Sequence, residues 1–101
     1  MVARLLWDKG VREYVDAARM LRAQWPQARF QLLGPLDASP RSGVPRAVLD
    51  GWVAEGVVEY LGETDDIRPH LQAADCLVLP SYREGVSRAL LEGAACARPL
   101  V

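Results

Sequence analysis

Apolar and polar positions along the chain alternate between two periods. Val2 to Leu6 is a short apolar run, followed by a turn at Trp7-Asp8-Lys9-Gly10. From Val11 to Gln24, Val11, Tyr14, Val15, Ala18, Met20 and Leu21 recur at helical spacing, while Arg12, Glu13, Asp16, Arg19 and Arg22 fill the other face. Pro26 ends that helix. Phe30 to Leu33 is a second strand, closed by Gly34-Pro35. Residues 36–45 hold Pro40, Gly43 and Pro45 and read as a loop. A helix is expected from Arg46 to Glu55, with Gly56 just past its end. Val57 to Leu61 is a third strand. Asp65 or Asp66 can cap a short helix running to Ala74. Asp75 to Pro80 is a fourth, nearly all-apolar strand, Ser81 to Gly85 a loop, and Val86 to Cys96 a helix rich in Ala and Leu. Pro99-Leu100-Val101 opens a fifth strand.

Strands therefore alternate with helices from end to end. Short, continuously apolar strands in that alternation predict an α/β fold: a doubly wound, Rossmann-like parallel sheet with helices on both faces. The common strand order for this class, 3-2-1-4-5, places the first and fourth strands side by side where the winding reverses, and ligands bind beyond their C-terminal ends. That geometry singles out two loops, 6–10 and 80–85, before any motif is considered.

The whole chain, residues 1–101, is one such domain. Its last run stops after two apolar residues, whereas a strand needs about five. It thus reads as a piece of a longer polypeptide, cut inside the fold at its C-terminal end.

Composition narrows the function classes. At 50% hydrophobic and 25% charged residues, the chain is neither disordered nor strongly polar. A net charge of −1 with no basic stripe argues against nucleic-acid binding. No run approaches the roughly 18 apolar residues of a spanning helix. Cys76 and Cys96 lack a CxxC partner and read as reduced, buried small hydrophobes. No signal peptide is visible, so the cytoplasm is the expected compartment. Trp7, Trp25 and Trp52 read as core or edge packing, and His70 as a surface or packing residue.

The two loops hold the candidate chemistry. Arg4 stands at the end of the first strand and Lys9, the lone lysine, in the turn after it. The second loop opens a helix at Gly85, Val86 and Ser87, whose free N–H groups form an anion site. Two cations facing those donors suit a diphosphate. Glu84, beside that site, suits a neutral, hydroxyl-rich group. Glu92, about two turns on, can accept hydrogen bonds from a vicinal diol such as a ribose.

Each feature also has an ordinary reading. Arg4 and Lys9 can be a plain strand end and turn, Glu84 a helix cap, and Glu92 an exposed pair with Arg88 worth roughly 0.3–0.5 kcal/mol. Asp65-Asp66 is not an Asp-x-Asp metal motif.

Glu84-Gly85-Val86-Ser87-Arg88-Ala89-Leu90-Leu91-Glu92, Arg4-Leu5-Leu6-Trp7-Asp8-Lys9-Gly10 and Ala74-Asp75-Cys76-Leu77-Val78-Leu79-Pro80-Ser81 occur here in order. Together they closely resemble the donor-binding half of the retaining GT-B glycosyltransferases of family 4, over essentially the whole chain. The resemblance implies that Arg4 and Lys9 contact the donor diphosphate, that Glu84 lies against the donor sugar, and that Gly85, Val86 and Ser87 lie near sugar and phosphate. It implies that Glu92 holds the ribose and that Tyr60-Leu61-Gly62-Glu63 is the nucleobase segment. It implies transfer of a sugar from a nucleotide sugar with retention at the anomeric carbon, without a metal or other cofactor, because Arg and Lys neutralise the developing phosphate charge.

One departure lies at Gly34-Pro35-Leu36-Asp37. Such enzymes often carry a second Gly shortly after the first, and Pro35 predicts a differently shaped loop. This form is similar to bacterial surface-polysaccharide transferases, which often use UDP-linked sugars. The resemblance further implies a glycan or lipid-linked acceptor bound by an N-terminal domain absent from this chain, peripheral membrane association of the full-length enzyme, and no activity for these residues alone. A non-catalytic nucleotide- or phosphate-binding module stands as one alternative. Another is a structural fragment whose open sheet edge pairs with a second copy. A dinucleotide-binding enzyme is disfavoured, since no G-x-G-x-x-G follows the first strand.

Overall fold

A computed structural model describes residues 1–37 and 39–80. The expected loop 81–85, the helix from Val86 to Cys96 and the fifth strand lie outside the described residues. Helices α1 (Val11–Gln24) and α2 (Arg46–Glu55) fall where the periodicity puts them, and α3 spans Arg68–Ala73. Strands β1 (Gln31–Leu32) and β2 (Glu59–Tyr60) are the centres of the second and third expected strands.

β1 and β2 are parallel, with Gln31 opposite Glu59 and Leu32 opposite Tyr60. The first apolar run lies on the other side of β1, through parallel bridges Val2–Leu33 and Leu5–Leu36. The three runs thus sit side by side in the order third, second, first. The described residues form an α/β unit with a small parallel sheet.

The first run is not the continuous strand expected for Val2–Leu6. It pairs at Val2 and at Leu5 with a bend between them. At the bend the carbonyl of Ala3 fills the space where a Cβ on Gly34 would stand, a contact between residues far apart in the chain. Asp75–Pro80 is likewise not a continuous strand: it has a bend at Asp75 and a bridge residue at Leu77 only.

A 3-10 turn, Trp7–Lys9, feeds α1 through Gly10, whose φ of 79° is left-handed. Its N–H closes the turn on the Trp7 carbonyl at 3.1 Å, and its own carbonyl accepts from Tyr14 at 2.9 Å. α1 buries Val11, Tyr14, Val15 and Ala18, the i, i+3, i+4, i+7 stripe. Met20 and Leu21, expected on that stripe, point away from the core and are 73% and 41% exposed. At 100° per residue Met20 lies on the opposite side of the helix from Val11 and Ala18, whereas Leu21, seven residues after Tyr14, sits at the edge of the stripe in the last turn.

Leu5, Leu32 and Leu49 join Val11, Val15 and Val44 in a core with no exposed side chain among them. Each such burial is worth about 1.5–3 kcal/mol. The Tyr14 hydroxyl donates to the Gln31 carbonyl and accepts from its N–H, both at 3.1 Å, so one side chain ties α1 to β1. Arg19 forks onto Glu55 at 2.8 and 3.1 Å and joins α1 to α2 on the surface.

Three further expectations are corrected. The residue capping α3 is Ile67, which offers no side-chain hydrogen bond. Asp66 instead accepts from the Arg68 N–H at 3.1 Å, one residue ahead of the capping position. Cys76 is exposed, because the adjacent Leu77 takes the inward side. Trp25 is 52% exposed, since it lies past the last turn of α1 and the chain then leaves at Pro26. Trp7 and Trp52 do pack on each other, edge to face at 6.0 Å.

Candidate functional site

The segments that follow β1 and β2 leave the same end of the sheet. Beside the first run they enclose a cavity of about 280 Å³, lined by Arg4, Gly34, Pro35, Glu63, Thr64 and Ile67 among others. Its position, past the carboxyl ends of parallel strands, is where open α/β sheets bind ligands.

Gly34 is the hinge of this wall. Its N–H donates to the Gly62 carbonyl at 2.8 Å, and its carbonyl accepts from the Tyr60 hydroxyl at 2.7 Å. Its φ of 150° and the Ala3 carbonyl against it leave no room for a side chain. Three chain segments therefore meet on one glycine. Thr64 braces the far wall, its hydroxyl bridging the backbone of Asp66 at 3.2 Å.

Arg4 extends from the cavity wall with its side chain 63% exposed. Its Nη1 stands 3.8 Å from Oδ2 of Asp37. Asp37 is held in turn by the Ser39 N–H, which donates to Oδ1 at 2.8 Å. Hydrogen bonding from Ser39 keeps the Asp37 carboxyl below the usual carboxylate range, and the charge of Arg4 adds a smaller push in the same direction.

Lys9 closes the 3-10 turn, with its N–H on the Leu6 carbonyl at 3.0 Å. It does not line the Arg4 cavity. The turn does meet the end of the fourth run: the Pro80 carbonyl lies against Gly10, where any Cβ would overlap it. Tyr60 and Leu61 also stay out of the cavity. Tyr60 supports Gly34, and Leu61 gives its N–H to the Leu32 carbonyl at 2.8 Å. Glu84, Gly85, Val86, Ser87 and Glu92 lie outside the described residues.

Of the expected site residues, then, Arg4 reaches this cavity, joined by Glu63 from the expected base segment. Sequence reasoning missed Asp37 and Thr64. An Asp two residues ahead of a Ser, next to Pro40, is an Asx-turn signal that marks Asp37 as a fixed carboxylate. Chemically, the cavity offers a guanidinium fork at one wall and a carboxylate and hydroxyl at the other. That set suits a ligand with an anionic part and a hydroxyl- or amide-bearing part.

Comparison with known proteins decides the family. The pattern described as glycosyl transferases group 1 matches residues 1–101. The chain belongs to that family. Among curated relatives, this group 1 chain is 42% identical over 101 residues to the N,N'-diacetylbacillosaminyl-diphospho-undecaprenol alpha-1,3-N-acetylgalactosaminyltransferase of Campylobacter jejuni, covering all of this chain and 25% of that protein. It is 32% identical over 108 residues to the putative colanic acid biosynthesis glycosyltransferase WcaL of Salmonella typhimurium, across 99% of this chain and 26% of the relative. It is 30% identical over 96 residues to the D-inositol 3-phosphate glycosyltransferase of Pseudarthrobacter chlorophenolicus, across 92% of this chain and 23% of the relative. The chain thus spans about a quarter of the length of the relatives it matches. Among the described residues, no helix is long and apolar enough to cross a membrane.

Proposed function

We propose that this chain is the donor-binding part of a retaining GT-B glycosyltransferase that moves a sugar from a nucleotide sugar, a UDP-sugar in the favoured case, onto a glycan or lipid-linked acceptor in bacterial surface-polysaccharide synthesis. The observation that carries this reading is the Arg4 cavity at the carboxyl end of a parallel sheet, in a chain of the group 1 family. The Campylobacter relative, named for a diphospho-undecaprenol substrate, supports the lipid-linked acceptor and an N-acetylhexosamine as one candidate sugar.

In this reading the sheet continues as 3-2-1-4-5, and the contact of Pro80 with Gly10 supports the fourth run beside the first. Arg4 and Lys9 take the donor diphosphate. Their charges offset the negative charge that builds on the leaving group, where a preformed cation stabilises the transition state most. Glu84 meets the donor sugar, the amides of Gly85, Val86 and Ser87 meet sugar and phosphate, and Glu92 holds the ribose. The backbone of Tyr60 and Leu61 carries the segment that receives the base. No metal enters the scheme. The acceptor is held by the remainder of the protein, which acts in the cytoplasm at the membrane surface.

The test is transfer by the full-length enzyme from UDP-, GDP- and ADP-linked sugars in the presence of a chelator, with the anomeric configuration of the product read by NMR. Transfer with retention supports the reading. Inversion, or a strict metal requirement, contradicts it.

A further inference from the structure

The loop that departs from the family pattern, Gly34-Pro35-Leu36-Asp37, is stitched to the first run. Leu5 gives its N–H to the Pro35 carbonyl and takes one from Val44, both at 3.0 Å, and Trp7 gives its N–H to Ser42 at 2.8 Å. Leu5 pairs with Leu36 and Leu6 with Gly43. Residues 35–37 and 39–44 therefore form a strap beside the first run, which carries Arg4. Asp37 sits in that strap with its carboxylate oriented by Ser39.

Arg4 approaches Asp37 through Nη1, at 3.8 Å from Oδ2. No hydrogen bond from its guanidinium is seen among the described residues. The two partners also face different spaces: Arg4 lines the 280 Å³ cavity, whereas Asp37 lines a separate recess of about 400 Å³. The carboxylate thus stands beside the guanidinium without lining the cavity itself. An arginine has five donors in a planar fork and can bridge a carboxylate and a phosphate at once.

We propose that Asp37 is a positioning residue for donor binding: it holds the Arg4 guanidinium at the cavity mouth so that the free edge of the fork meets the diphosphate. This rests on the reading of Arg4 as a diphosphate contact. Arg4 has a long side chain, mostly exposed, whose rotamer freedom is costly to lose on binding. A fixed counter-ion removes part of that cost beforehand.

The test uses the full-length protein with UDP, GDP and ADP as probes, each beside its parent nucleoside. Asp37→Asn keeps the Asx turn but drops the charge. It is expected to weaken the diphosphate that the wild type binds by about 2- to 5-fold, the range of exposed ion pairs, and to leave the nucleoside unchanged. In an Arg4→Ala background the same substitution is expected to have no further effect. Equal weakening of nucleoside and diphosphate, an effect that persists without Arg4, or tighter binding by Asp37→Asn overturns the proposal while leaving Arg4 as a donor contact. If Arg4→Ala changes nothing, or the wild type binds none of the three, the donor reading itself falls and Asp37 with it.

Discussion

The carbonyl of Pro80 fills the space that a side chain on Gly10 would need. Gly10 also holds a φ of 79°, which closes the turn after the first run and starts α1. A single residue thus meets two demands at the point where the first and fourth runs come together. Gly10→Ala is expected to cost about 2–4 kcal/mol, since the left-handed backbone alone costs roughly 1–2 kcal/mol and the overlap adds to it. Chemical denaturation measures this, and a loss below 1 kcal/mol would mean that Pro80 does not lie against the turn.

Tyr14 titrates late. Burial pushes its hydroxyl up to about 12, against a smaller opposing pull from the hydrogen bond to Gln31. The folded state then holds the proton more tightly than the unfolded state. Stability contributed by Tyr14 is fully present below about pH 10 and falls as pH rises through about 12. Tyr14→Phe leaves the Gln31 N–H without its Tyr14 acceptor, while the Gln31 carbonyl keeps the Met1 amino group, and is expected to cost about 1–3 kcal/mol. In that variant the loss of stability between pH 10 and 12 becomes shallower. An unchanged slope in urea titrations across that window counts against the assignment.

Asp66 is held at about 2, chiefly by its hydrogen bonds from the Arg68 side chain and then from the Arg68 backbone N–H. Its depressed value means that its contribution is present above the ordinary aspartate range and is lost as pH falls through about 2. Side-chain carbon shifts followed by NMR are expected to show that midpoint, and Arg68→Ala to move it upward. A midpoint in the ordinary range in the wild type would show that the Arg68 fork is not formed.

Much of this fold is legible in the sequence because α1 and α2 are long enough for a 3.6-residue period to appear. The strands are less so. Val2–Leu6 is apolar enough for a strand, but its pairing breaks where Ala3 meets Gly34, a contact between residues 31 positions apart that no local pattern reveals. Met20, Leu21 and Trp25 fail for a different reason. Apolar character alone does not place a residue in the core: Met20 lies half a turn from Val11, and Leu21 and Trp25 sit where α1 ends. At the site, Arg4 stands out as a cation at a strand end, whereas Asp37 matters only because the strap folds back beside the first run.

The same contrast predicts mutational costs. Leu32, on β1, is fully buried in the core, and Leu32→Ala is expected to cost about 2–5 kcal/mol. Met20→Ala, at a position 73% exposed, is expected to stay within about 0.5 kcal/mol. Comparable losses at both positions would contradict the orientation of α1.

The central claim is that Arg4 and Lys9 take the diphosphate of a nucleotide sugar. It is tested most directly by titrating the full-length protein with UDP, GDP and ADP and comparing wild type with Arg4→Ala and Lys9→Ala. The account predicts that one of the three nucleotides binds, and that each substitution weakens it at least tenfold while the fold stays intact by circular dichroism. Undiminished binding in both variants, or no binding of any nucleotide to the wild type, would contradict it.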